Sequence, residues 1–153
     1  MILNRQRRVK VAVGPLERFL REAKRATGTG RAEVTVCFVS NAEIARLNRT
    51  YRNKTGPTDV LSFPPHPTTP ARKKRTRSDS KNAHAHETAF IGDIAIAPET
   101  ARKYAKRHGR SLPVELRILI LHGILHLLGY DHEADRGEME KLERGLRRRL
   151  RLE

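Results

Sequence analysis

The stretch PVELRILILHGILHLLGYDHE, residues 113–133, decides how the chain is read. From Ile118 to Leu128 it is apolar on every side, apart from His122, Gly123 and His126. A helix without a polar face belongs in the interior, and two imidazoles buried there are costly unless their nitrogens find partners. A separation of four residues is about 400° of rotation and about 6 Å of rise, so His122 and His126 project from one face. Gly129 offers the left-handed conformation that ends many helices. Beyond it the chain can fold back and bring His132 round as a third nitrogen. Three neutral imidazoles with a fourth position open make the donor set of a catalytic zinc site. Zinc lowers the pKa of bound water to about 7. A histidine pair on a buried helix can also be a hydrogen-bonded core feature. The third histidine just past the glycine turn favours the metal. The expectation is one zinc ion, Zn2+, held by His122, His126 and His132.

The rest of the chain surrounds that helix with smaller elements. Residues 8–13 (RVKVAV) and 33–39 (EVTVCFV) alternate or run apolar with β-branched residues, and 59–63 and 91–96 are short runs of the same kind, so four strands are expected. Leu16, Phe19, Leu20 and Ala23 make one helical stripe, and Ile44, Leu47 and Tyr51 another. The second is opened by Ser40 with Glu43 three residues on, the spacing of a capping box. Pro98 suits a first helical position, leading to Ala101, Tyr104 and Ala105. Met139, Leu142, Leu146 and Leu150 form the stripe of a last helix. The order β-α-β-α-β-β-α-α-α predicts an α+β fold. One small, mostly four-stranded mixed sheet would be covered by about five helices, one of them a metalloprotease-like zinc helix.

Charge limits the partners. The 153 residues hold 32 Lys+Arg against 17 Asp+Glu, a net +15, which points to a polyanion. No apolar run approaches the ~20 residues that span a bilayer, and the start MILNRQRRVKVAVG lacks the pattern of a secretory signal. A single cysteine, Cys37, cannot form an internal disulfide and is read as core. A cytoplasmic protein without a membrane partner is expected. Residues 64–89 stand apart, with four of the eight prolines and a basic run that includes Arg72, Lys73, Lys74 and Arg75. Such a stretch buries too little to offset its ordering entropy, so it is expected to be a flexible insertion in a single domain spanning 1–153. HAHE, residues 84–87, lies within it and is a poor cage for a metal, as is His66.

Three blocks carry a family resemblance. HGILHLLGYDH (122–132) closely resembles the H-G-x-L-H-L-x-G-Y-D-H signature of the bacterial YbeY family of rRNA maturation factors, which are metal-dependent endoribonucleases. LNRTYRNKTGPTDVLSF (47–63) is similar to that family's L-N-x-x-Y-R-x-x-x-x-P-T-D-V-L-S-F segment, and IGDIAIAPE (91–99) to its G-D-I strand. The long basic insertion is the departure. The resemblance implies that His122, His126 and His132 hold zinc and that Arg52 and His122 are catalytic. A guanidinium presents a planar fork to phosphate oxygens, so Arg52 suits the scissile phosphate. Lys54 and the basic run Arg72–Arg75 are candidates for the neighbouring RNA backbone. Asp59, Asp93 and Asp131 would either bond loop amides or orient a ligand imidazole.

The expected function is a zinc-dependent, single-strand-directed endoribonuclease in rRNA maturation. The resemblance implies the 16S rRNA 3′ end, the small ribosomal subunit, and ribosomal and assembly proteins as partners. Two alternatives remain open: an RNA-binding assembly factor with structural zinc, and a zinc peptidase. Against the peptidase, the glutamate that follows the first histidine in H-E-x-x-H is here Gly123.

Overall fold

The computed structural model describes residues 1–65 and 89–153. The expectation of flexibility at 64–89, and the candidates His66, Arg72, Lys73, Lys74, Arg75, His84 and His86, fall outside the described residues, apart from the segment's ends. The described chain runs β1 (Ile2–Asn4), α1 (Val13–Ala26), β2 (Glu33–Phe38), α2 (Asn41–Arg52), β3 (Val60–Phe63) and β4 (Phe90–Ile96). It continues through α3 (Pro98–Arg107), α4 (Leu112–Leu127) and α5 (Glu138–Arg149). The strands form one mixed sheet in the order β1-β2-β4-β3. β1, β2 and β4 are parallel, and β3 returns antiparallel to β4 with Phe63 opposite Asp93. The α+β class, the four strands and the five helices match the expectation.

The first strand is not where alternation placed it. Residues 8–13 form no strand, and Val13 already opens α1. Val9 is buried, but its backbone is satisfied by one side chain: Gln6 Oε1 accepts from the Val9 amide at 3.0 Å and Gln6 Nε2 donates to its carbonyl at 2.9 Å. Alternating burial needs a ladder only where nothing else satisfies the backbone. The edge strand is instead Ile2–Asn4, paired with Val36–Phe38.

α4 is the centre of the molecule. Ile120, Leu121, Ile124 and Leu125 are almost wholly buried between the inner sheet face (Val34, Val36, Phe38, Ile94, Ile96) and helices α1, α3 and α5. Each such side chain contributes about 1.5–3 kcal/mol by leaving water. Close approach to the sheet depends on Gly123. A Cβ there would lie 2.8 Å from Ile94 Cδ1 and Cγ2. Ser62 Oγ of β3 donates to the Gly123 carbonyl at 3.2 Å, fixing the helix against the sheet.

Among the described residues the opposite sheet face is covered by α2, over Val39, Ile44, Leu61, Ala95 and Ala97 with the half-buried Cys37, Leu47 and Phe63. Ser40 Oγ caps α2 by accepting from the Glu43 amide at 3.1 Å. The apolar stripe stops short of Tyr51, which is 62% exposed. Asn53 (φ 53°) ends the helix, and buried Asn48 donates from Nδ2 to the Gly56 carbonyl at 2.9 Å. The stretch after α2 is thereby folded toward the C-terminal end of α4.

Candidate active site

The end of α4 sets the position of the third histidine. The Tyr130 amide donates to Leu125 O and the Gly129 amide to His126 O, with Gly129 at φ +95°. This is the paired closure of a Schellman turn, which reverses the chain using a left-handed glycine. Asp131 then holds the following turn, Oδ1 accepting from the Glu133 amide at 3.0 Å. Asp135 ties the loop to α5 by accepting from the Gly137 and Met139 amides. His132, between these anchors, swings back over α4.

The three imidazoles converge. Ring centroids are 4.6 Å apart for His122 and His126, 5.4 Å for His122 and His132, and 5.2 Å for His126 and His132. One ligand nitrogen from each lies within 4.8 Å of the others. His122 Nδ1 meets Glu143 Oε2 of α5 at 2.9 Å. A proton on that nitrogen leaves Nε2 with its lone pair directed inward, 3.0 Å from Nε2 of His126. Burial, then the charges of His122 and His132, hold the His126 pKa below the ordinary histidine value, which favours its neutral, donor form. Neutral imidazoles with a carboxylate behind one of them suit a nitrogen-preferring divalent metal.

Glu143 and Arg147 were not singled out from sequence. Burial pushes the Glu143 carboxyl up, but the hydrogen bond and charge of His122, with Arg147, outweigh it and hold it below the usual carboxylate value. Arg147 Nε bonds the second oxygen, Oε1, at 3.1 Å. A signal existed: Glu143 lies between Met139 and Leu146 on the buried face of α5, an acid within an apolar stripe.

The histidines open into a cleft of about 840 Å³ shared with Arg52, Lys54, Asp59 and Ser62. Arg52 is the last residue of α2, and its Nη2 lies 3.8 Å from Glu133 Oε1, next to His132. Asp59 makes no hydrogen bond to an imidazole; the Thr58 hydroxyl donates to its Oδ1 at 3.3 Å. Burial raises its carboxyl above the usual value, opposed by hydrogen bonding within its own loop and by the charge of His122. Asp131 is the loop-amide acceptor. Asp93 is not in this cleft; it lines a neighbouring groove.

A histidine cluster at the end of a buried helix, faced by an arginine and a lysine across an open cleft, defines a metal-dependent hydrolase directed at an anionic substrate. The family model described as Endoribonuclease YbeY matches residues 2–151. The Endoribonuclease YbeY of Koribacter versatilis (strain Ellin345) is 43% identical over 152 residues, covering 99% of this chain and 86% of that protein. The one from Aquifex aeolicus (strain VF5) is 38% identical over 145 residues, covering 95% and 85%. The solution structure of TM1509 from Thermotoga maritima covers 98% of this chain and 89% of its own, at a TM-score of 0.59 and 27% identity. The chain belongs to the YbeY family of endoribonucleases.

Proposed function

We propose that this endoribonuclease is zinc-dependent, cuts single-stranded RNA and acts in rRNA maturation at the 16S 3′ end. The observation that carries this reading is the opening of Arg52 and the three histidines into one cleft. His122, His126 and His132 would hold the ion, with His122 oriented by Glu143. A zinc ion so held supplies Lewis-acid polarisation and lowers the pKa of water. Arg52 places its fork on the scissile phosphate, where transition-state charge grows on the oxygens. Lys54 engages the adjoining backbone, and the basic run Arg72–Arg75 adds attraction from the 64–89 insertion. A cleft in the size range of small-ligand sites admits a single strand more readily than a duplex.

The chain would act as one domain, 1–153, in the cytoplasm, on the small ribosomal subunit with ribosomal and assembly proteins. The peptidase alternative has a steric obstacle as well as a chemical one. The position after the first histidine faces Ile94, with no room for a glutamate side chain.

The test compares wild type, Arg52→Ala and His126→Ala on structured and single-stranded RNA, with and without chelator. His126→Ala should lose zinc and cleavage together. Arg52→Ala should keep zinc and the circular dichroism of the fold while cleavage falls about 100-fold or more. Equal cleavage by all three proteins would trace the activity to a contaminant. Digestion of casein in place of RNA would restore the peptidase reading.

A further inference from the structure

The metal cleft continues into a second groove of about 510 Å³, lined by Leu47, Tyr51, Phe63, Phe90 and Asp93, with Pro64 and Pro65 at its edge. Four of these residues, Tyr51, Phe63, Pro64 and Pro65, also line the cleft, so the two spaces share a wall. The chain has only four Phe, three Tyr and no Trp, yet three of those rings stand here. Phe63 is half-buried against the core under α2, but packing does not account for the other two: Tyr51 is 62% exposed and Phe90 43% exposed. Tyr51 and Phe63 meet edge to face, centroids 5.1 Å apart at 72°, with most of the tyrosine ring left to solvent. Its neighbour Arg52 points into the metal cleft.

One polar side chain accompanies the aromatics. Asp93 pairs directly opposite Phe63 across β3 and β4, which sets its carboxylate on the same sheet face as the Phe63 ring. Among the described residues no ion pair engages it. A carboxylate with no ion partner among the described residues, in one groove with the Tyr51, Phe63 and Phe90 rings, repels a phosphate backbone and suits a base. Unpaired bases are read by stacking on aromatic side chains and by hydrogen bonds to their Watson–Crick edges. A carboxylate offers two acceptors side by side. Guanine alone among the four RNA bases presents two donors side by side on that edge, N1–H and N2–H. Adenine and cytosine set one amine beside an acceptor, and uracil sets one N–H between two carbonyls.

We propose that this groove is a base-recognition subsite that takes one unpaired guanine of the RNA, with Tyr51 stacking on the base and Asp93 accepting from N1–H and N2–H. The inference rests on the RNA-cleaving reading for its purpose. Tyr51 and Arg52 then receive the base and the phosphate of adjoining nucleotide units. The subsite would fix the position of the cut relative to a guanine.

Equilibrium binding of the 5′-monophosphates of guanosine, adenosine, cytidine and uridine to the zinc-loaded protein tests it without requiring cleavage. GMP should bind at least about fivefold tighter than the other three. Asp93→Asn should erase that preference while leaving zinc content and AMP affinity unchanged. Tyr51→Ala should weaken all four about tenfold, the scale of one base–aromatic stack. Both side chains are exposed, so the variants should retain the wild-type circular dichroism. Equal binding of the four nucleotides to wild type, or an undiminished GMP preference in Asp93→Asn, overturns the proposal. A protein that prefers GMP yet cuts no RNA would overturn the cleavage reading alone.

Discussion

Glu143 shows how one residue on a distant helix decides what another can do. Its carboxylate fixes the proton of His122 on Nδ1 and so turns Nε2 toward the other imidazoles. Glu143→Gln keeps the shape but removes the charge and frees Arg147. Zinc affinity, read by competition with a chromogenic chelator, should fall about 10- to 100-fold, as for other residues that orient a ligand histidine. An unchanged affinity would mean the contact is only packing. The histidines themselves were legible because their spacing is local. Glu143 was not, because 21 residues separate it from its partner and an acid within an apolar stripe does not by itself say which side chain it meets. Cys37 gives a second residue-level expectation. Burial raises its thiol pKa, against the opposing charge of Arg5. The thiolate is the reactive form, so less of it exists at a given pH. Alkylation by iodoacetamide should be slower than for free cysteine at neutral pH. Followed by mass spectrometry, its rate should still be climbing with pH above about 8.5, where an unburied thiol is half ionised.

At the scale of elements, α4 was readable from composition alone, since a helix apolar all round has nowhere to go but the interior. The stripes of α1 and the cap of α2 were equally local. Two expectations failed for reasons outside any local window. The alternation at 8–13 was satisfied by the Gln6 side chain rather than by a neighbouring strand, and the true edge strand, at three residues, is too short to display a period. Tyr51 continues the spacing of the α2 stripe but lies past the end of the surface α2 covers. Nor did the sequence reveal why position 123 is glycine; the seat of α4 on β4 does. Gly123→Ala should destabilise the fold by about 1–3 kcal/mol, the cost of forcing a methyl group into a packed contact. Urea unfolding of the metal-free protein would measure it. Ile94→Ala should restore part of the loss in the double variant, because Ile94 is the side chain the new methyl meets. Additive losses would place the strain elsewhere.

Across the whole molecule the net charge of +15 acts without regard to sequence. Phosphate contacts release counterions, so RNA affinity should fall linearly with the logarithm of salt, by about 0.7 per contact for a single strand. Deleting residues 71–81 removes six lysines and arginines and one aspartate. That deletion should flatten the salt slope and weaken binding while zinc content stays at one ion per chain. Loss of zinc on deletion would show that the segment belongs to the metal site. Among the described residues no helix is long and apolar enough to cross a membrane.

That segment enters and leaves the fold through β3 and β4, paired antiparallel with Phe63 opposite Asp93. Its two ends therefore emerge side by side, at the lip where the cleft and the groove meet. Closing a connection between adjacent strands costs only about 0.6 kcal/mol more for each doubling of its length. The hairpin is thus a socket: an insert of another length or charge can be grafted between its strands at little expense to the sheet and without moving the metal ligands beneath it.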